Sequence, residues 1–223
     1  MSFDITFHPI SKEELQGFFL AVLAQPNRAG EKAAHITTDP EKESRLLGIY
    51  EECGDVFADV KKGSEPFSTL VLGAAAIAGF LHPYWYARGS AISFLIDEDE
   101  RFEPLTRSLF EMFPRAFAGL RDESDGMILD NYSGGGYVPN GNLPALKSML
   151  LDDDYEDAVS TVFAEDSFEA LLEAIDYALE HGTGLLEVAD LVVPSEGEVF
   201  TDPDNLRAHY LENVDDHDNA RDI

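Results

Sequence analysis

The stretch Asp130–Asn140, DNYSGGGYVPN, sets three consecutive glycines between Tyr132 and Tyr137. Glycine permits positive φ and a close backbone approach, so this loop could cradle a phosphate, turn a hairpin or present two rings to a partner. A phosphate loop needs Lys-Ser/Thr after its glycines, with the lysine aimed at the phosphates. Here Gly136 leads into Tyr137-Val138-Pro139, the next lysine is Lys147, and Asp130 adds a repelling charge. The phosphate reading fails. A glycine turn between two strands remains, and so does a paratope-like loop in which Asp130, Tyr132 and Tyr137 are candidate partner contacts.

A second aromatic segment, HPYWYARG, crowds Tyr84, the sole tryptophan Trp85, Tyr86 and Arg88 between Pro83 and Gly89. Aromatic rings and arginine are the residue types enriched at binding hot spots. The competing reading is that these rings cap the core between a helix and a strand. The acidic run Asp152, Asp153, Asp154, Tyr155, Glu156, Asp157 lacks the spaced oxygens and central glycine of a calcium loop. It reads as a solvated stretch whose first three carboxylates could meet a basic partner.

Other chemistry is thin. No two of the six histidines stand at helical ligand spacing, so no metal site is expected. His82 has no neighbouring nucleophile in the sequence, and Cys53 sits among Glu51, Glu52 and Asp55, which disfavour a thiolate. With 44 acidic residues, carboxylate pairs are inevitable and identify nothing. No catalytic residue and no cofactor is expected.

Charge is the dominant compositional signal. The 44 carboxylates against 15 basic residues give −29 over 223 residues. Such a chain repels phosphate backbones and anionic membranes, so neither nucleic acid nor membrane is an expected partner. Three uses of the acidity compete: solubility, adaptation to high salt, and attraction of a basic protein by electrostatic steering. No secretory leader is legible at the N-terminus, the apolar run Leu70–Leu81 is too short to span a bilayer, and a single cysteine forms no internal disulfide. A cytoplasmic location is expected.

The elements that must position these residues follow from periodicity. Ser2–His8 alternates like a half-buried strand. Ser11 and Glu14 make a capping box, opening a helix over about Lys12–Ala24 with Leu15, Phe18, Phe19, Val22 and Leu23 inward. Asp39-Pro40 opens another that turns Leu46, Leu47, Tyr50 and Phe57 inward. An apolar helix runs from Glu65-Pro66 to near Leu81, followed by a buried strand over Ser90–Ile96. A helix is expected after DEDERFEP, with Leu105, Leu109, Phe110, Phe113 and Phe117 at helical spacing. LPALKSMLL gives a short helix, Ser167–Glu180 an amphipathic one stopped by Gly182, and GLLEVADLVVP a final strand. The sum is an α-rich α+β single domain, several helices packed on a few short strands, over 1–195. Residues 196–223 read as an acidic C-terminal tail, partly disordered.

FDITFHPISKEELQGFF and NYSGGGYVP, each joined to short acidic helices, resemble bacterial toxin-immunity proteins. The resemblance implies a non-enzymatic partner that binds one cognate toxin domain, and it carries over no catalytic residue. The expectation is therefore an acidic binding protein for a basic partner. The alternatives are a hydrolase or transferase with an acid-rich cleft, or acidity serving only solubility or salt tolerance.

Overall fold

The strand β1 (Asp4–Ile10) is buried along its whole length except at Asp4. The computed structural model in which it is seen describes residues 4–60, 68–108, 128–129, 132–133, 136–189 and 191. One edge of β1 pairs with β2 (Trp85–Arg88), placing Phe7 opposite Trp85 and Asp4 opposite Arg88. Its other edge pairs with β7 (Gly184–Ala189), the last strand among the described residues, Ile5 against Ala189 and Ile10 against Gly184. Beyond β7 lie β6 (Gly136–Val138) and β3 (Arg107–Ser108), giving the order β2-β1-β7-β6-β3 with every pairing antiparallel. A separate ladder joins β4 (Ile128–Leu129) to β5 (Tyr132–Ser133).

Helices cover both faces of this sheet, so the half-buried alternation expected of the first strand is corrected to burial on both sides. On one face Ile10, Leu186 and Val188 meet the N-terminal helical stretch, α4 (Pro40–Val60) and α5 (Ser68–Leu81). On the other, Ile5, Phe7 and Leu185 meet α6 (Ile92–Glu98), α7 (Leu143–Leu150), α8 (Glu156–Val162) and α9 (Glu165–His181). The polar residues of β1 therefore point into a core. Thr6 Oγ1 donates to the Val188 carbonyl at 3.3 Å, and His8 Nε2 donates to Thr6 Oγ1 at 2.8 Å. The His8 ring stacks on Tyr84 at 5.1 Å, and burial lowers its pKa to about 3. The result is an α-rich α+β domain, as the sequence implies. Among the described residues no helix is long and apolar enough to cross a membrane.

The capping box forms as read: Glu14 N–H donates to Ser11 Oγ, and Ser11 N–H donates to Glu14 Oε2. The helix it opens is not uniform. α1 (Lys12–Glu14) passes into a π-helical Leu15–Leu20 and then α2 (Ala21–Ala24). The wider turn brings Leu20 inward with Leu15 and Phe19, and leaves Phe18 only half-buried. After α3 (Ala29–Ile36), Asp39 caps α4 by accepting from the Glu41 amide. The buried stripe of α4 is Leu46, Tyr50, Cys53 and Phe57, and Leu47, one position off it, is exposed. Gly73 of α5 lies against Cys53: a Cβ there would fall 2.2 Å from Sγ, so glycine sets how closely α4 and α5 pack.

One expectation is overturned, and the start of another is corrected. Ser90–Ile96 is not a strand; α6 begins at Ile92. The deciding residue lies far away in sequence. Glu187 of β7, fully buried, accepts from the amides of Ile92 at 2.5 Å and Ser93 at 3.3 Å. Those donors would be orphaned at the start of a helix, so a distant carboxylate supplies the cap that the local sequence lacks. The acid-led helix after Asp97 is a 3-10 turn, Glu100–Leu105, that ends in β3; residues 109–117 lie outside the described residues, as does the tail. Gly182 stops α9 as expected, in the left-handed region at φ 70°.

Burial pushes the Glu187 carboxyl up to about 7 despite its two amide donors. Its folded pKa exceeds its unfolded one, so its contribution to stability is full below about 4.5 and lost as pH rises to about 7, an effect of ~3 kcal/mol. His8, with its folded pKa depressed, gives the opposite slope between about 3 and 6.5. Replacing Glu187 with Gln isolates the carboxyl. Urea unfolding should show the stability of the wild type, measured relative to Glu187→Gln, falling by ~3 kcal/mol between pH 4.5 and 7.5. A difference independent of pH would contradict this assignment.

Candidate functional site

The two aromatic segments do not form one surface. β2 and β6 are separated in the sheet by β1 and β7, three strand spacings or about 14 Å. Three of the rings read as partner contacts are core residues. Tyr84 is fully buried, Trp85 is 7% exposed and Tyr137 is 4% exposed. Each polar tip is satisfied internally where it is seen: Trp85 Nε1 donates to Glu173 Oε2 at 3.0 Å, and the Tyr137 hydroxyl donates to the Ile10 carbonyl at 3.0 Å. A partner-facing role for these three is corrected to that of rings filling the two cores, Tyr84 and Tyr137 on the α4–α5 side of the sheet and Trp85 on the α9 side. Tyr86 is half-buried, its hydroxyl donating to Asp4 Oδ1 at 2.6 Å, and Arg88 is exposed at the end of the edge strand β2. Tyr132 belongs to β5, and Asp130 lies outside the described residues. The hairpin pairing joins residues 128–129 to 132–133, so the strand turns back before the glycines, and Gly136 is itself a strand residue.

A cluster that sequence spacing does not reveal joins three distant segments. Glu14 uses Oε2 for the capping box and Oε1 for His82 Nε2 at 2.9 Å. On its other side, His82 Nδ1 lies 3.3 Å from the Tyr177 hydroxyl. Tyr177 in turn stacks on His181, ring centroids 3.8 Å apart, and lies 5.3 Å from Trp85. The His82 hydrogen bond holds the Glu14 carboxyl down at about 2. Burial and the nearby Glu14 and Glu180 raise the Tyr177 hydroxyl, which disfavours a phenolate nucleophile. Chemically the chain of groups is a fastener between the start of α1, the end of α5 and α9. Among the described residues no group of three or more His, Cys, Asp and Glu could hold a metal ion.

The acidic run lies on the surface. Leu143, Leu146 and Leu150 form the buried stripe of α7, and the next residue, Leu151, falls off that stripe and is 58% exposed. Asp152 then caps a 3-10 turn, Asp153–Tyr155, by accepting from the Asp154 amide at 3.0 Å. The chain continues directly into α8, whose first turn carries Glu156 and Asp157. Acids are favoured at such N-terminal turns by the helix dipole. Asp152, Asp153 and Asp154 are all exposed. Arg101 lies against this turn. Its guanidinium is bound to Asp99, lies over the Tyr155 ring at 4.1 Å and reaches only the main-chain carbonyl of Asp154.

Between this turn, α8 and the start of α9 runs an open groove of about 350 Å³. Leu150, Leu151, Val159, Phe163 and Phe168 supply its apolar lining. Sequence reasoning found the carboxylates and missed the groove beside them. Its one legible trace is the second leucine of Leu150-Leu151, out of phase with the helix.

Comparison with protein-family models, with characterised proteins and with solved structures finds no match for this chain.

The reassignment of Trp85 has a direct consequence. Trp85→Ala should cost ~3–5 kcal/mol of folding stability, the usual penalty for truncating a buried large aromatic. Thermal or urea unfolding measures it. Unchanged stability would return Trp85 to the surface.

Proposed function

We propose that this chain is a non-enzymatic acidic binding protein that captures a basic protein partner, acting as an immunity protein that occupies a cognate bacterial toxin domain in the cytoplasm. The observation that carries the reading is the turn at Asp152–Asp157. Five carboxylates cluster there in the open beside an exposed leucine, and the one cation seen against the turn, Arg101, is already bound to Asp99. Acids used only for solubility do best when both charge signs are interspersed and apolar side chains are kept away from the surface. A single-sign field next to an apolar patch is instead what a complementary partner uses for encounter and then for burial. The resemblance of the N-terminal segment and of NYSGGGYVP to immunity proteins supports the choice of partner class.

The test is capture from lysate of the source organism on wild-type protein and on the triple variant Asp152→Asn, Asp153→Asn, Asp154→Asn. Asparagine preserves the cap at Asp152, so the fold is retained while the charge is lost. One basic protein should bind the wild type stoichiometrically through a high-salt wash, and the variant should retain several-fold less of it. Equal retention by both baits, or no retained protein, would contradict the proposal.

A further inference from the structure

The groove beside the acidic turn is built for more than charge. Val159 and Phe163 form a nearly flush apolar floor, 8% and 5% exposed, and Leu151 stands beside them with more than half its surface in water. Phe168 packs against Phe163, ring centroids 6.2 Å apart and tilted by 57°, which stiffens that wall. Four carboxylates, Asp152, Asp153, Glu156 and Glu165, line the same groove, all exposed. None of the four has a cation at ion-pair distance among the described residues. Every wall comes from a helix or a helix-capping turn, and no strand edge contributes to it, so an extended peptide has no ladder to join.

We propose that this groove seats the apolar face of a cationic amphipathic helix, with aliphatic side chains covering Leu151, Val159 and Phe163 and flanking lysines or arginines meeting the four carboxylates. The inference rests on the reading of the chain as an acidic binder and specifies where and what it binds. Sign selects the occupant. A second copy of this chain carries the same −29, and its own tail is acidic, with Asp215, Asp216 and Asp218 close together. Either would bring like charges to the rim. A volume of about 350 Å³ is at the small end of the range for ligand pockets, ~300–1,000 Å³. That suits a few side chains of a helix face rather than a whole cofactor. An apolar contact in the middle with charges around it is the usual anatomy of such grooves.

The probe is a fluorescein-labelled leucine/lysine peptide with leucines at i, i+3, i+4 and i+7. The control is a peptide of identical composition with the leucines scrambled off one face. Binding is read by fluorescence anisotropy at ~0.15 M NaCl, where exposed charges are screened beyond ~8 Å, and again at low salt. The amphipathic peptide should bind at least tenfold more tightly than the scrambled one. Leu151→Asp, a change at an exposed site, should abolish that preference while leaving circular dichroism and thermal unfolding unchanged. If both peptides bind equally and Leu151→Asp changes nothing, the groove is overturned while the acidic-binder reading stands on the charge-driven binding that remains. If neither cationic peptide binds even at low salt, both are overturned.

Discussion

Because β1 pairs with a neighbour on each edge and is covered on both faces, its side chains from Ile5 onward have no solvent to turn to, and the rest of the fold is arranged to accommodate that. Its odd positions, Ile5 and Phe7, fill the core beneath α9. Its buried even positions, Thr6, His8 and Ile10, must go into the opposite core, although Thr6 and His8 are polar. Burying a polar group without a partner costs ~1–3 kcal/mol, and the strand meets that cost locally for Thr6 and for one His8 nitrogen, while His8 Nδ1 is buried without a hydrogen-bond partner. Thr6 bonds the neighbouring strand, His8 bonds Thr6, and His8 remains neutral against the face of Tyr84. The same two-sided burial of the sheet explains why Tyr84, Trp85 and Tyr137 lie inside: each of the two cores needs large rings to fill it.

A chain at −29 must also place its acids where they stabilise rather than repel. Many sit at helix starts, where unsatisfied amides and the dipole welcome them. Glu14 closes the first capping box, Asp39 caps α4, Asp99 caps the turn before β3, and Asp152 caps the turn before α8. Glu187 does the same work from across the sheet and in the interior. Acids that perform these tasks need no external partner. Those of the Asp152–Asp157 turn exceed what one cap requires, and that surplus next to an apolar groove is the feature on which the proposed capture of a basic protein rests.

Local signals carried most of the architecture. The capping box at Ser11, the Asp39-Pro40 start, the glycine stop at Gly182 and the amphipathic stripe of α9 are all written in neighbouring residues, and helices begin or end at each of them, the first with a π-helical stretch inside it. What failed was decided at long range. Ser90–Ile96 has the composition of a buried strand, and it becomes a helix because Glu187 supplies its cap. Segment HPYWYARG has the composition of a binding loop, and sheet order places it as the partner of a fully buried strand. The Glu14–His82–Tyr177 cluster joins residues 68 and 95 positions apart along the chain, and no spacing rule spans such distances. At the candidate site the acids were legible because they are contiguous. The groove was not, because its lining comes from three consecutive elements whose packing angle sets its width.

The measurement closest to the central claim is the association rate of the captured basic partner with this protein as a function of ionic strength, by stopped-flow fluorescence. Electrostatic capture predicts a rate near ~10⁸ M⁻¹s⁻¹ at low salt that falls at least tenfold towards a neutral ~10⁵–10⁶ M⁻¹s⁻¹ as salt rises. The dissociation rate should change far less. An association rate that stays flat across that range would show that the acidity has nothing to do with finding the partner, and would contradict the account.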